Sequence, residues 1–404
     1  MKDHESESSS DSDSDKEQDR KNEKKTDKSD KEDDNSDINS ESDSESDADN
    51  DMSIQIENNT LKKELKEQNN DYNLRVITFN LLTPKYATKK WFVYSRNRDL
   101  YFVNRLAKMA KLLASWTKVN FIICFQEMSK EWYDILKEHL KHYKYDLICE
   151  TYQGGLLGVG IAYPKNHYDY SNKISYTTSE TISDVMRKIK IHNKHNENKI
   201  NLVGDNNMTH SRNIMLTVIL NAKYCGKNVG KKIMITTYHM PCQFDNTLSM
   251  FMHLYSLKDK IKSIYDELVK NKQENEKIYN ILAGDFNIVK NSDLYNMLTE
   301  KLTDDDKNIN KISEELKKIG IETPKLGMRS AHNAIHKKEP EYTNVLIQKD
   351  KKFVDCIDYI MIGENIEVRS CMVGLIVNDP QTMSYPNALC PSDHLPLSAS
   401  LIMK

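Results

Sequence analysis

The sequence predicts an α/β fold of the mixed, α+β kind, with two packed and mainly antiparallel sheets flanked by helices. Short β-branched and aromatic runs alternate with apolar residues at helical spacing, and their order is neither strictly alternating nor all-β. Seven or more such runs suggest two sheets stacked face to face. No self-similar period marks a repeat architecture.

The elements follow in order. Residues 1–52 alternate Ser with Asp and Glu and hold almost no large apolar side chain, so they predict a disordered acidic tail. Serines preceding acids resemble acidophilic-kinase sites, and a solubilising tail fits equally well. Residues 53–72 form a charged lead-in with helical potential, and the folded body spans 73–404. Leu74–Phe79 and Phe121–Phe125 read as strands, with Leu100, Val103, Ala107, Ala110 and Ala114 at helical spacing between them. Ile214–Leu220, Lys232–Tyr238, Ile278–Leu282, Phe353–Ile362 and Leu395–Leu401 read as further strands. Met250, Leu254, Leu257, Ile261, Ile264 and Leu268 line one face of a long helix. Asn193–Asn207 and Thr299–Gly320 read as surface insertions, the second with helical potential. Gly226–Lys232 is one residue short of a phosphate loop and reads as a hairpin turn.

Charge is unevenly spread. Residues 1–50 carry 20 acidic and 8 basic side chains, whereas the remaining 354 residues carry 41 acidic and 50 basic. A basic body attracts phosphate-bearing ligands, although a Lys-rich solvated surface has the same composition. The acidic tail is expected to compete with nucleic acid for that body. Seven scattered cysteines without a C-x-x-C pair read as reduced, buried thiols. No apolar run approaches a membrane span, so the expectation is an intracellular protein, cytoplasmic or nuclear, with no membrane partner.

The informative signal is where lone polar residues fall. Asn80, Glu127, His239, and Asp285 with Asn287 each close an apolar run, where a side chain projects to the rim of a sheet. A strand-ending carboxylate or amide is by itself an ordinary turn former or cap; five on four strands suggest a shared site. In extended geometry Asp285 and Asn287 share one side while Phe286 points to the core, which suits a base beside a neutral oxyanion donor. Asp358, in the middle of an apolar strand, needs a partner, and His394 in Ser392-Asp393-His394 offers one. A plain structural Asp–His pair remains open at this point. Glu127, Asn80 and Asp393 form a set of hard oxygen donors that suits Mg²⁺, with Mn²⁺ as substitute. Zinc is disfavoured, since no His-x-x-x-His or Cys cluster occurs and His192 with His195 lies in a polar stretch.

Seven ordered pieces then carry a resemblance. They are Thr78-Phe79-Asn80-Leu81-Leu82, Gln126-Glu127, Tyr238-His239-Met240-Pro241, Gly284-Asp285-Phe286-Asn287, Glu339-Pro340-Glu341-Tyr342-Thr343-Asn344, Ile357-Asp358-Tyr359-Ile360 and Cys390-Pro391-Ser392-Asp393-His394. The chain resembles the endonuclease/exonuclease/phosphatase superfamily, and within it the CCR4, nocturnin and Angel branch. The resemblance implies a four-layered α/β sandwich and a Mg²⁺-dependent phosphodiesterase acting on RNA, most often as a 3′-5′ exoribonuclease. It implies Glu127 as principal metal ligand with Asn80 and Asp393, Asp285 activating water, and Asn287, His239 and His394 donating to the phosphate, with Asp358 holding His394. Asn213, Thr343 and Asn344 fall on the nucleotide side. The family's usual Thr-His-Leu is here Tyr238-His239-Met240, and its glycine-rich, lysine-bearing segment is loosely matched around Gly158-Val159-Gly160. Leucine-rich repeats of CCR4-type enzymes are absent, so protein partners do not carry over. Three alternatives stay open: an endonuclease on DNA or RNA, a nucleotide 2′-phosphatase, and an inactive nucleic-acid-binding scaffold.

Overall fold

The computed structural model describes residues 73–202, 208, 211–349, 351–375 and 384–404. The predicted tail and lead-in lie outside the described residues. Two six-stranded sheets form the frame. The first runs in the order β13 (Ile366–Val373), β14 (Leu397–Met403), β1 (Asn73–Asn80), β2 (Ile122–Gln126), β4 (Leu157–Pro164), β3 (Tyr145–Tyr152). The second runs β5 (Tyr168–Thr177), β6 (Ile214–Tyr224), β7 (Lys227–His239), β8 (Lys277–Asp285), β12 (Asp358–Gly363), β9 (Met328–Ser330). Each sheet has one parallel pair at its centre, β1 with β2 and β7 with β8, and is otherwise antiparallel. A separate ribbon pairs β10 (Asn344–Ile347) with β11 (Lys352–Asp355).

Strand side chains alternate between two faces, and this sorts the core into layers. Leu74 and Val76 of β1, Ile122 and Cys124 of β2, Ile233 and Ile235 of β7, Ile281 and Ala283 of β8, and Ile360 and Ile362 of β12 meet between the sheets. The opposite parity of β1 and β2, including Phe79 and Phe125, faces helices α1 (Phe102–Lys118) and α2 (Lys130–His142). The outer face of the second sheet is covered by α3 (Ser179–His195), α4 (Thr247–Lys270), α5 (Asp293–Leu298) and α6 (Lys307–Lys317). The result is helices, sheet, sheet, helices, as the sequence predicts.

Several local expectations need correction. Helix α1 forms, but its buried face is Arg105, Met109, Leu112, Leu113 and Trp116, while Val103 is exposed. Small alanines gave the spacing, whereas the larger side chains choose the face that packs. Phe353–Ile362 is two strands, because the chain turns at Cys356-Ile357, so Asp358 begins a strand instead of interrupting one. The Thr299–Gly320 insertion contributes α6, whose Ile309, Ile312 and Leu316 are buried against the second sheet. In the Asn193–Asn207 insertion, residues 193–195 close α3 and Ile200 is buried; 203–207 lie outside the described residues. His192 and His195 therefore sit on the last turn of a helix. The hairpin turn is shorter than Gly226–Lys232: it is the pair Cys225-Gly226, with φ of 49° and 77°, and residues 227–232 already belong to β7. All seven cysteines are free, but Cys225 and Cys242 are exposed because they fall on loops. No described helix is long and apolar enough to cross a membrane.

One buried group makes stability pH-dependent. His253 of α4 is enclosed behind β7, its Nδ1 2.9 Å from Thr178 Oγ1 and 3.1 Å from the Tyr238 hydroxyl, and burial pushes its ring down to about 4. The unfolded chain takes up this proton near pH 6.5 and the folded chain does not until about pH 4, so stability falls as pH drops through that window. The loss attributable to His253 is up to about 3 kcal/mol, being the shift multiplied by 1.36 kcal/mol per pH unit. Urea unfolding at pH 7 and pH 4.5 should show it, and His253→Gln should remove that part of the slope; an unchanged slope in the variant would contradict the assignment.

Candidate active site

The same parity that fills the inter-sheet core builds the site. Counting by twos from Val76 gives Thr78 and Asn80; from Cys124, Gln126; from Ile235, Thr237 and His239; from Ala283, Asp285; and back from Ile360, Asp358. Five inward-facing rows thus run from apolar to polar at the same end of the sandwich. First comes a buried polar layer in which Gln126 Nε2 donates to Thr78 Oγ1 at 3.0 Å and to Thr237 Oγ1 at 2.9 Å, tying the two sheets together. Above it lie the reactive groups.

Strand pairing fixes their mutual positions. His239 pairs with Asp285 across the parallel β7–β8 ladder, and Asp358 pairs with Asp285 across the antiparallel β8–β12 ladder. Gly284 permits the first pairing, because a Cβ there would collide with the Tyr238 carbonyl oxygen. Asp285 Oδ2 receives Asn80 Nδ2 at 3.0 Å and lies 3.5 Å from His239 Nε2 and 3.6 Å from His394 Nε2. Its Oδ1 accepts the Asn287 backbone N–H at 2.9 Å. His394 Nδ1 is 2.8 Å from Asp358 Oδ2. Burial works against a charged His394 ring, but the carboxylates of Asp358 and Asp285 outweigh it and raise the ring well above its ordinary value.

Two of the expected site side chains reach the cleft through left-handed backbone. Glu127 follows the last residue of β2, where simple alternation would send it to the helix side; its φ of 51° breaks the strand instead. Its Oε2 accepts the Thr83 N–H at 2.7 Å and its Oε1 lies 3.3 Å from Asn80 Nδ2. Burial, with the nearby Asp393 charge, pushes this carboxyl up, while His239 and the Thr83 N–H oppose it. Asn287 has φ 48° and donates its Nδ2 to the Met240 carbonyl at 2.8 Å. It therefore reaches Asp285 through a turn, not through the extended geometry the sequence suggested. Phe286 does point into the core, as expected.

The remaining expected residues divide into cleft and support. Asp393 lines the cleft, with Asn344 Nδ2 3.3 Å from its Oδ2. Asn213 braces the wall, donating to the His239 carbonyl at 2.8 Å and lying 3.4 Å from the Tyr152 hydroxyl. Thr343 is fully buried, and its Oγ1 accepts the backbone N–H groups of Ile357 and Asp358 at 3.0 and 3.1 Å. That position holds the Asp358 turn from behind, so the expectation that it faces a nucleotide is replaced by a positioning role. Asn80 also differs, because its Oδ1 already accepts the Leu82 N–H at 2.9 Å while its amide nitrogen lies between two carboxylates.

The cleft has a volume of about 760 Å³ and is lined by the aromatic side chains of Tyr86, Trp91, Tyr152, Phe244 and Phe353 together with Arg212 and Lys351. Glu127, Asp285 and Asp393 all face it. A phosphate entering alone would meet like charge, so the site suits a divalent cation bound first. Among the described residues, one trio of potential ligands has its atoms within 4.8 Å of one another, namely Asp285, Asp358 and His394. There the His394 Nδ1 is committed to Asp358 at 2.8 Å, which leaves its Nε2, 3.6 Å from Asp285, as the ring nitrogen facing the other carboxylate. The oxygen donors Glu127 and Asp393 fit a hard cation better.

Comparison with known proteins now fits this geometry. Residues 77–394 match the family model described as Endonuclease/Exonuclease/phosphatase family. The chain belongs to that family. Its members are hydrolases of phosphate esters. Among solved structures, the chain is similar to ANGEL2, a 2′,3′-cyclic phosphatase, in complex with adenosine-2′,3′-vanadate, with a TM-score of 0.62 at 17% identity over 83% of this chain and 97% of the other. It is also similar to the human Nocturnin catalytic domain with bound sulfate (TM-score 0.52, 16% identity, 83% and 97% coverage). A third likeness is to a family protein from Bacteroides thetaiotaomicron (0.51, 14%, 83% and 99%). At these identities the likeness is one of fold. Among curated proteins, no sequence matches significantly.

Arg105 was not foreseen as part of this architecture. Its guanidinium, fully buried on α1, donates to the carbonyls of Leu81, Leu82 and Pro391, and lies 5.4 Å from the Trp132 ring centroid. It thereby ties the loop after Asn80 to the loop before Asp393. Burial lowers its pKa to about 10, and the charges of Asp393 and Glu127 oppose that shift. The available signal was a lone cation four residues before Met109, on the face that packs. Arg105→Met should cost about 3 kcal/mol or more, since charge-assisted hydrogen bonds contribute roughly 1.5–3 kcal/mol each and three carbonyls lose their donor. Urea unfolding measures this, and a loss below about 1 kcal/mol would remove Arg105 from the support of the site.

Proposed function

We propose that the protein is a divalent-metal-dependent phosphodiesterase acting on RNA, most specifically a 3′-5′ exoribonuclease of the deadenylase kind. The observation that supports this best is the convergence of Asn80, His239 and His394 on one oxygen of Asp285, beside Glu127. A carboxylate in that position holds and deprotonates water, while the surrounding N–H donors face the charge that develops on phosphorus-bound oxygen.

Each residue then has a step. Glu127 and Asp393 would hold Mg²⁺, with Asn80 Oδ1 as a neutral supplement and Mn²⁺ as a substitute. When bound, the ion polarises the phosphoryl oxygens and offsets their charge. Asp285 orients the attacking water and takes its proton. His394, kept protonated by Asp358, donates to a phosphoryl oxygen, and His239 donates beside it. The Asn287 amide retains one N–H for the same oxygen after its bond to Met240. Aromatic walls beside Arg212 and Lys351 suit stacked bases joined by phosphates.

A second reading, hydrolysis of a 2′,3′-cyclic phosphate at an RNA end, is favoured by the fold likeness to ANGEL2. The chemistry at Asp285 is shared, and the substrate differs. Product analysis on a labelled oligo(A), with a cyclic-phosphate end as comparison, separates the two: released mononucleotides support the first reading and ring opening alone the second.

Asp285→Ala or Glu127→Gln should lower kcat at least a hundredfold, in line with about 2.7–4 kcal/mol for single transition-state donors, with thermal unfolding still cooperative. Ordinary turnover in either variant would refute the assigned roles. EDTA should abolish activity and Mg²⁺ restore it.

Burial also raises the Asp358 carboxyl, to about 6. Its ionised form pairs with protonated His394, so kcat/KM should fall as pH drops below about 6. A rate that is flat from pH 5 to 8 would remove the Asp358–His394 pair from the mechanism.

A further inference from the structure

Beside the cleft, one segment displays more aromatic and basic surface than its packing requires. Residues 85–98 carry Lys85, Lys89, Lys90, Arg96 and Arg98 and no acidic side chain. Trp91 and Tyr94 are 44% and 58% exposed, and Tyr101 follows at 59%. The segment is anchored all the same. Phe92 and Leu100 pack with Leu82 and Ala87 into a small core of their own that Leu346 joins. Lys89 Nζ closes its turn on the carbonyls of Val93 at 3.0 Å and Ser95 at 2.6 Å. The first acid beyond it, Asp99, is buried 2.8 Å from both Arg96 and Lys108, so it offsets the charge of that pair and not that of Lys85, Lys90 and Arg98.

Position decides what such a surface is for. Tyr86 and Trp91 form part of the cleft wall, and the aromatic series continues along the chain to Tyr94 and Tyr101. Leu82, in the small core, is two residues past Asn80, so this platform packs on the loop that leaves the strand ending in Asn80.

We infer that residues 85–101 form a track for single-stranded RNA leaving the cleft, an assignment that rests on the RNA reading above and extends it to the chain beyond the scissile nucleotide. Aromatic faces stack bases without regard to sequence, and the interleaved cations, Lys85, Lys90 and Arg98 above all, follow the phosphates. A duplex keeps its base faces stacked internally and offers nothing for Trp91 and Tyr94. A protein partner would favour an apolar centre depleted of charge, and here lysine and arginine stand between the rings.

The test uses the full chain carrying Asp285→Asn, so that RNA binds without turnover, and fluorescence anisotropy with labelled A12 and A3. The parent should bind A12 at least tenfold more tightly than A3. Adding Tyr94→Ala with Arg98→Ala should reduce that ratio below threefold and lower the salt slope by about one, whereas Tyr94→Phe with Arg98→Lys should preserve both. An A12 preference that survives the alanine pair, or tighter binding of duplex than of single strand, overturns the track. The two proposals fail separately. Length-dependent binding by a chain that, with Asp285 intact, releases no nucleotide refutes the enzymatic reading alone; hydrolysis without length preference refutes the track alone.

Discussion

The site depends on one geometric constraint, the two-residue alternation of a β-strand. The residues that hold the sheets together and the residues that face the cleft occupy the same inward rows. Val76 and Asn80, Ile235 and His239, and Ala283 and Asp285 share a face because they are an even number of positions apart. A one-residue slip in any of these strands would send a reactive group to the helix side and an apolar one to the rim. Burial of the core therefore sets the register of the cleft, and the Thr78–Gln126–Thr237 layer marks where the environment changes from apolar to polar.

Charge is managed from behind. Four carboxylates, from Glu127, Asp285, Asp358 and Asp393, gather near one end of the sandwich, and the protonated His394 ring is shared between Asp358 at 2.8 Å and Asp285 at 3.6 Å. Arg105 sits at the back, engaged with loop carbonyls and still felt electrostatically by Asp393 and Glu127. Glu127, Asp285 and Asp393 bring three carboxylates to the lining, which makes their surroundings locally negative although Arg212 and Lys351 also line the cleft. An arrangement of that sign favours a cation, and the cation then favours a phosphate.

Much of this was legible before any coordinates. Polar residues closing apolar runs marked Asn80, Glu127, His239 and Asp285, because a strand long enough to cross a core must end at a rim. The Asp358–His394 pair was legible because a carboxylate near so many apolar neighbours requires a partner. Other features depended on information that spacing does not carry. The face of α1 was misread because alanines satisfy helical periodicity without filling space, while Trp116 and Met109 do fill it. The family resemblance put Thr343 on the nucleotide side, but the bend at Ile357 claims its hydroxyl. Arg105 stayed hidden because its partners are carbonyls of residues that come together only in the folded chain.

The fit of β7 against β8 leaves no slack at Gly284. At Gly160 a new methyl group would meet the end of the Met128 side chain, which can turn aside, but at Gly284 the obstacle is the Tyr238 carbonyl oxygen, part of a peptide plane already fixed in the ladder. Sequence drift over the helical exterior can therefore be wide while this position stays closed to every other amino acid, so the least conspicuous residue of the motif is the one with no conservative replacement.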